Sequence, residues 1–396
     1  MNPVESPGEA GRGSRCRLLA LAPNPWQGQW MNRQQILSRL AADHAVLYST
    51  GAWSVWDRQA PGWRSAPLLG RYEPVDGVLV DHPPRALLRW PTRPRYDRAV
   101  LRLVQRRWLR QLATMGPGPL VAYLFHPRYL PFIADLPVDR VVYQPYDLFR
   151  RMPGWSPALA RLEADLLTRS DAVIATSQTT RDTLQEQSPR PVHCVPNGVD
   201  ASLFLGREPS AGDDPLAGIA RPRIGYIGSV NRKVDLPLLV DLARREPSWQ
   251  IVLVGPEGNF DEVTADALAG LAGLPNVHRL GGRDRRELPG LIGSLDVALM
   301  CYRAGTWMDS AYPLKLHEYL ASGPPVVSSD LPSVRAFSAV VAIARKADDW
   351  HPLIRAALLT GGPGTRAARQ EVAAANSWDR RVQDIRTILA GLAARA

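Results

Sequence analysis

Residues 312–328 read YPLKLHEYLASGPPVVS, and they predict one short helix followed directly by a buried strand. Pro313 suits the first turn of a helix, because the N–H that proline lacks has no intrahelical partner there. The Gly-Pro pair at 323–324 is typical of a helix end, and the apolar residues 325–327 predict the strand. The helix therefore starts directly behind the polar loop 304–311, which reads AGTWMDSA.

Two charged side chains of this helix, Lys315 and Glu318, are three residues apart and share one face. The free backbone N–H groups at a helix start form an anion site, most often for phosphate. One turn deeper, the Glu318 carboxylate can accept two hydrogen bonds from a vicinal diol such as ribose. The same pattern also fits a helix that packs on a sheet and leaves Lys315 and Glu318 as a solvated pair, so the spacing alone leaves both interpretations open.

The composition is that of an ordinary globular protein. A chain of 396 residues has room for two domains, and its 45% hydrophobic and 22% charged content is average. No apolar run reaches the ~18 residues of a membrane helix. Residues 18–22 are too few for a signal-peptide core and predict a strand, while residues 1–16 predict a disordered tail. We therefore expect a cytoplasmic protein.

The three cysteines, Cys16, Cys194 and Cys301, are far apart and form no C-x-x-C pair. This spacing favours reduced thiols over metal ligands or disulfides.

The net charge of +10 calls for an acidic partner: nucleic acid, an anionic membrane or a phosphorylated substrate. No RNA-binding signature is present, so we expect no nucleic acid. Residues 95–115 predict an amphipathic helix with five arginines on its polar face: Arg98, Arg102, Arg106, Arg107 and Arg110. Such a face is usually solvated. Its sharper interpretation is a peripheral contact with the inner face of a membrane, or with an anionic lipid-linked substrate.

Short apolar strands alternate with helices along residues 17–205 and again along residues 223–376. This alternation predicts two doubly wound α/β domains with parallel sheets. Residues 206–222 are rich in Gly, Pro and Asp and predict a linker, and residues 377–396 predict a last helix. Within the first domain, residues 49–74 predict a long irregular loop.

Polar residues follow several of the predicted strands, where open α/β sheets bind their ligands. His126 and Asp147 do so in the first domain. In the second domain Gly228 begins a strand-to-helix turn that also holds Arg232 and Lys233, a pattern that favours a phosphate cradle.

These motifs resemble the GT-B glycosyltransferases, in particular glycosyltransferase family 4 and its "glycosyl transferases group 1" domain. The matching segments are VPNGVD at 195–200, IGYIG at 224–228, IVLVGP at 251–256, residues 277–281, PLKLHEYLASG at 313–323, the strand 325–327, and Ser377 with Trp378. Trp26, Trp30 and Arg33 add to the likeness in the first half. The resemblance implies two Rossmann-like domains that face each other across a cleft, with a last helix that crosses back to the first domain.

The resemblance also implies roles for individual residues. The first domain would bind the acceptor and the second a nucleotide sugar, with Glu318 on the ribose and the cations on the diphosphate. The implied catalytic residues are His126, Asp147, Arg232 and Lys233. The implied donor-binding residues are Glu318, Lys315, Ser310, Ala311, Tyr312, Leu314, Gly228 and Arg283. The implied acceptor-binding residues are Gly28, Gln29, Trp30 and Arg33.

Two departures from the family pattern stand out. Many members carry two glutamates separated by seven residues, and the first position is here Ser310, which puts sugar contacts at 310 in doubt. The usual glycine-rich acceptor loop is also thinner, with Gly28 alone.

The resemblance implies a retaining glycosyltransferase that moves a sugar, typically a hexose, from a nucleotide-diphosphate sugar to an acceptor. That acceptor would be a sugar, a lipid-linked molecule or a small molecule in bacterial polysaccharide, glycolipid or metabolite biosynthesis. We expect neither cofactor nor metal, because fixed cations and helix N–H groups can stabilise the leaving diphosphate. Two alternatives stay open: a nucleotide-sugar epimerase on the same fold, and a non-catalytic nucleotide-binding scaffold.

Overall fold

The computed structural model describes residues 15–206, 214–305 and 307–393. Most of the predicted tail and part of the predicted linker lie outside the described residues, namely residues 1–14 and 207–213. The described chain forms two α/β units, each built on one sheet.

The first sheet has eight strands in the order β3-β4-β2-β1-β5-β6-β7-β8, all parallel except β3. Its strands are β1 (Arg17–Leu21), β2 (Ala45–Ser49), β3 (Arg71–Val75), β4 (Val78–His82), β5 (Leu120–Leu124), β6 (Arg140–Tyr143), β7 (Ala172–Ala175) and β8 (Val192–Cys194). Its helices are α1 (Asn32–Leu40), α2 (Pro61–Ser65), α3 (Pro94–Ala113), α4 (Pro157–Arg169), α5 (Gln178–Gln185) and α6 (Ala201–Phe204).

The second sheet has six parallel strands in the order β11-β10-β9-β12-β13-β14. Its strands are β9 (Arg223–Ile227), β10 (Gln250–Val254), β11 (Val277–Arg279), β12 (Val297–Met300), β13 (Val326–Ser329) and β14 (Ala342–Ala344). The helices after α6 are α7 (Leu236–Arg245), α8 (Glu262–Ala272), α9 (Leu288–Gly293), α10 (Lys315–Ser322), α11 (Trp350–Thr360), α12 (Arg366–Ala375) and α13 (Trp378–Ala393).

Both sheets are doubly wound, so each has a point where the strand order reverses. This point lies between β1 and β5 in the first sheet and between β9 and β12 in the second. Ligands bind at the carboxyl ends of the strands that flank such a point. The fold therefore favours ligand binding at the loops after these four strands, and these loops contain most of the predicted site residues.

The last helix, α13, packs on the first sheet although it follows the second in sequence. Its apolar face lies in the same core as α1 and β1, through Trp378, Val382, Ile385, Leu389 and Leu392. Ion pairs tie its outer face to the first domain: Arg39 contacts Asp379 at 2.9 Å and Arg386 contacts Asp43 at 2.6 Å. The chain therefore crosses between the domains twice.

The two crossings pair with each other. Val199 donates its N–H to Asn376 O (3.0 Å), and Trp378 donates to Val199 O (2.9 Å). A side chain at Gly198 would collide with the backbone of residues 376–378, so the close approach requires glycine there.

The structure corrects the prediction of an irregular loop at 49–74. This region contains α2, a 3₁₀ turn at Val55–Gln59, and β3, which pairs antiparallel with β4. Asp76 and Gly77 connect the two strands with positive φ angles of 51° and 78°. An Asp-Gly pair between strands is a hairpin signal that the sequence reasoning overlooked.

Candidate donor and acceptor sites

Lys315 lies in the first turn of α10, where it is buried with 7% of its surface exposed. Its Nζ donates to the Tyr226 hydroxyl at 3.0 Å and lies 4.2 Å from the Tyr226 ring centroid. The Tyr302 ring is 5.6 Å away. Burial, reinforced by the charge of Lys233, lowers the pKa of Lys315 to about 7. A bound anion would restore the charged form of this lysine.

Gly228, the first residue after β9, lies against Lys315. Its φ is +146°, and a Cβ there would overlap the Lys315 ammonium group. Glycine is required for both reasons. The turn after β9 and the start of α10 therefore meet at one point, although nearly ninety residues separate them.

Glu318 lies one turn further along α10 and is half-buried. Burial raises the pKa of its carboxyl group, while the charges of Lys315 and Arg285 act in the opposite direction. The charge of the carboxylate therefore interacts with those of two cations.

Arg285 and Asp200 join this group, and the sequence reasoning assigned a role to neither. Arg285 forms an ion pair with Asp200, and its guanidinium carbon lies 4.3 Å from the Trp30 ring centroid. Asp200 also pairs with Arg39 of α1 at 3.3 Å. A cation from the second domain therefore packs against an aromatic ring of the first.

Arg283, in contrast, is exposed. Arg285, two positions later, is the basic residue that contacts Trp30 and Asp200. It begins the 3₁₀ turn Arg285–Glu287. The VPNGVD segment that ends at Asp200 carried a signal for this acid, but the chain gave no local signal for its partner.

The turn after β9 also positions Arg232 and Lys233. Asn231 Oδ1 accepts from the Lys233 N–H at 3.2 Å, and Arg232 lies over the Trp307 ring at 5.4 Å. Lys233 is half-buried, and burial lowers its pKa while the charge of Asp147 raises it. Lys233 is thus close enough to the first domain for its charge to act on Asp147.

Asp147 interacts with this lysine from the first domain, where His126 follows the end of β5. Burial raises the pKa of Asp147 to about 7, and Lys233 opposes that rise. Burial and the charge of Arg128 lower the pKa of His126 to about 4, so its imidazole is neutral at pH 7. The His126 ring lies 4.5 Å from the Phe149 ring centroid, and its Nδ1 accepts the Arg128 N–H at 3.1 Å.

The segment after β1 holds the four predicted acceptor residues. Gly28 has a φ of +109° and open space around it. Gln29 Oε1 accepts from Ser229 Oγ of the second domain at 3.2 Å, and Trp30 lies under Arg285. Arg33 is different, because it is buried in the first turn of α1 with 2% of its surface exposed.

Several backbone groups in the loop before α10 already form hydrogen bonds, so fewer of them can bind a phosphate than the sequence predicted. Ala311 donates its N–H to Met308 O at 3.1 Å, so this group is already bonded. Ser310 Oγ donates to Trp307 O, and its carbonyl accepts from Ser177 Oγ at 2.5 Å and Thr180 Oγ1 at 3.2 Å. Tyr312 O accepts from Asn197 Nδ2 at 2.6 Å. In this structure Ser310, Ala311 and Tyr312 therefore hold the two domains and the loop together.

Leu314, the residue before α10, keeps a helical backbone and lies half-buried beside the first-domain core. Its side chain is apolar, so an anion would meet its backbone rather than its side chain.

Metal sites and membrane spans are both absent from the part of the chain that the structure describes. No group of three or more His, Cys, Asp or Glu side chains in that part of the chain is arranged to hold a metal ion. None of the helices described combines the length and the apolar character that a bilayer span requires.

Family models match both halves of this architecture. Residues 55–203 match the model described as Glycosyltransferase Family 4, and residues 221–358 match the one described as Glycosyl transferases group 1. The chain belongs to the GT-B glycosyltransferases. The expectation from the sequence motifs is thereby confirmed for family and fold.

Curated relatives give the same picture. The chain is 29% identical over 207 residues to TuaH of Bacillus subtilis, named as a teichuronic acid biosynthesis glycosyltransferase. It is 30% identical over 236 residues to the MMP α-(1→4)-mannosyltransferase of Mycolicibacterium hassiacum. These alignments cover 49% and 56% of this chain and 51% and 50% of the relatives, so the chain spans about half the length of the curated relatives it matches.

Solved structures show the same GT-B fold across the whole chain. HepE from Anabaena, crystallised with UDP-glucose, superposes with a TM-score of 0.69 at 18% identity over 95% of this chain and 99% of HepE. Sucrose-phosphate synthase from Thermosynechococcus elongatus superposes with a TM-score of 0.70 at 16% identity over 96% of this chain and 100% of that one.

Proposed function

We propose that this protein transfers a sugar from a nucleoside diphosphate sugar to an acceptor bound on the first domain. One observation carries the proposal: Lys315, which is one turn from Glu318 on α10, meets the turn that holds Gly228 and Lys233 at the reversal point of the second sheet. Cations for a diphosphate and a carboxylate for a ribose are thereby brought into one place.

The donor would bind with its ribose hydroxyls on Glu318 and its diphosphate near Lys233, Lys315 and Arg232. Lys315 is the best-placed of the three cations, because burial leaves its ammonium only partly charged until an anion approaches. UDP-glucose is the first donor to test, since HepE was crystallised with it.

Transfer breaks the bond between the anomeric carbon and the diphosphate oxygen and forms a bond to the acceptor oxygen. Negative charge grows on the diphosphate, so fixed cations stabilise the transition state more than the bound donor. We propose that the acceptor proton passes to the leaving phosphate on the same face, which retains the anomeric configuration. Asp147 and neutral His126 would hold the hydroxyls of the reacting sugars.

We further propose that the lysines and Arg232 replace a metal ion in this step. Turnover in excess EDTA at the rate seen with Mg²⁺ would support this; activity that EDTA removes and Mg²⁺ restores would overturn it.

The surface of α3 supports a peripheral contact with an anionic membrane on its cytoplasmic side. The helix exposes Arg98, Arg102 and Arg106, while Tyr96 and Leu103 are 50% and 46% exposed among them. Arginines beside exposed apolar side chains are typical of helices that lie on a bilayer. Such a contact would suit an acceptor of an envelope polysaccharide or glycolipid, the class to which TuaH's name points.

Cosedimentation with vesicles tests that contact. We expect vesicles with 30% anionic lipid to retain the wild type at low salt, and the triple variant R98Q/R102Q/R106Q to stay in the supernatant. Equal retention of both proteins would contradict a role for α3.

The proposed activity is tested with UDP-glucose and other nucleotide sugars, with and without acceptor sugars, by following the nucleoside diphosphate and the product mass. A glycosylated product supports the transferase. Epimerised free sugar without any acceptor would favour the epimerase instead. Nucleotide binding with neither product would indicate the scaffold.

A further inference from the structure

Arg33 is a buried cation without a matching anion. It is 2% exposed, and its Nε has no hydrogen-bond partner among the described residues. No carboxylate in residues 15–206, 214–305 or 307–393 forms an ion pair with it. The neighbouring Asn32 is 3% exposed, and its Oδ1 is likewise unpaired within the described chain.

The tyrosines around Arg33 show where its guanidinium lies. Its charge lowers the pKa of three hydroxyl groups, against the larger effect of burial, in Tyr48, Tyr129 and Tyr146. Tyr48 OH donates to Asn24 O after β1 at 2.5 Å, and Tyr129 OH donates to Thr50 O after β2 at 3.1 Å. Arg33 follows β1 and Arg128 follows β5, and these neighbouring strands flank the reversal point, so both arginines lie at the carboxyl edge of the first sheet, which borders the cleft.

A second cation acts on the same hydroxyl groups. The charge of Arg128 lowers the pKa of Tyr129 and of Tyr146, and its guanidinium carbon lies 5.8 Å from the Tyr129 ring centroid. Arg128 is exposed, so it adds charge without the cost of burial.

A buried charge without a compensating anion destabilises the folded state. Arg33 is also in the first turn of α1, where backbone N–H groups favour anions. A buried guanidinium whose Nε is unpaired, a second cation and a helix start at one ligand-binding edge form a receptor for an oxyanion. By contrast, the nearby carboxyl group of Asp147 has a pKa of about 7, so it opposes an incoming anion only weakly below that pH.

We infer that Arg33 and Arg128 bind an anionic group on the acceptor, a phosphate or a carboxylate. The inference rests on the proposed transfer reaction and names the acceptor class: a phosphorylated sugar or a uronic acid rather than a neutral sugar. The anionic group of the acceptor would neutralise the charge of Arg33, while the reacting hydroxyl group of the acceptor would face Asp147 and Lys233.

The test compares glucose, glucose 6-phosphate and glucuronic acid as ligands at equal ionic strength. The protein is first saturated with whichever of UDP, GDP, dTDP, CDP and ADP stabilises it. We expect one or both anionic sugars to bind at least tenfold more tightly than glucose, and Arg33→Gln to abolish that preference. Preference for the phosphate or for the carboxylate identifies the source of the anion.

Two further variants separate binding from folding. Arg33→Lys should keep part of the preference, and Arg244→Gln, an exposed arginine on α7, should keep all of it. Arg33→Gln should unfold at a temperature no lower than the wild type, because it removes an uncompensated buried charge.

Three results would overturn the inference: glucose binding as tightly as both anionic sugars, Arg33→Gln still preferring them, or no measurable binding of any of the three. Failure of the transferase proposal looks different. In that case no nucleotide stabilises the wild type and no nucleotide sugar is turned over, whatever the acceptor probes do.

Discussion

The two sides of the cleft treat buried charge differently. On the second domain, Lys315 contacts the Tyr226 hydroxyl at 3.0 Å and shares its surroundings with Glu318, so the cation and the carboxylate compensate each other. On the first domain, Arg33 is also buried, but its Nε is unpaired and it forms no ion pair with an acid of the described chain. Asp147, on the same side, depends on Lys233 from across the cleft for its nearest opposing charge.

The difference shows which side already carries compensating charges within its own domain. On the donor side Lys315 already contacts the Tyr226 hydroxyl and ring, and the charge of Glu318 acts on it, as expected for a site that accepts one constant chemical group. The acceptor side holds charge that only a ligand or the facing domain can neutralise. We therefore expect the charged residues of the acceptor side to determine which acceptor this protein prefers.

The largest expected effect comes from removing the cation that links the two sides. Lys233→Ala should lower kcat by roughly 10²–10³, the loss typical of one oxyanion-stabilising group. The same change should raise the pKa of Asp147 further, since Lys233 is the charge that opposes the rise. Steady-state kinetics checks the first effect, with Arg244→Gln as the control. A loss of less than threefold would place Lys233 outside the chemistry.

Removing the carboxylate on the donor side should act on binding. Glu318→Gln is expected to weaken the affinity for the nucleoside diphosphate by about 10–100-fold, because hydrogen bonds to a charged group contribute about 1.5–3 kcal/mol. Calorimetric titration measures the change. Unaltered affinity would mean that the ribose lies elsewhere.

A side chain added between the β9 turn and α10 should displace Lys315 on the donor side by steric overlap. Gly228→Ala adds a Cβ that overlaps the Lys315 ammonium at a φ of +146°, so we expect a loss of about 1–3 kcal/mol of stability and weaker nucleotide binding. Gly154→Ala is the matched control, since Gly154 also has a positive φ (88°) but open space around it. If both variants bind nucleotide equally well, Lys315 does not depend on this contact.

The last prediction concerns the pH dependence of the uncompensated side. Asp147 has a folded pKa of about 7, above its usual 3.8, so between pH 4 and 7 the folded state holds a proton that the unfolded chain has lost. The free energy of unfolding therefore falls as pH rises through this window. We expect the melting temperature of the wild type, relative to Asp147→Asn, to decrease from pH 4 to 7 and then level off. A difference that is constant with pH would contradict the raised pKa.

The helices, the strands and their order could be predicted because residues that favour helix ends, and the alternation of strands with helices, are visible locally in the sequence. Pro313 and Gly323 define the ends of the helix that carries Glu318, and strand-helix alternation gave both sheets. The partners of Lys315 are 89 residues away in the case of Tyr226, and no local pattern encodes such a contact. Arg285 was missed for the same reason, because its importance comes from Trp30 and Asp200 on the other side of the domain interface.

The most direct test of the account is calorimetric titration of UDP, GDP, dTDP, CDP and ADP into the wild type and Glu318→Gln. We expect that one of the five binds the wild type and that the variant binds it at least tenfold more weakly. Equal binding to both proteins, or no binding of any nucleotide at millimolar concentration, would contradict a donor site on α10.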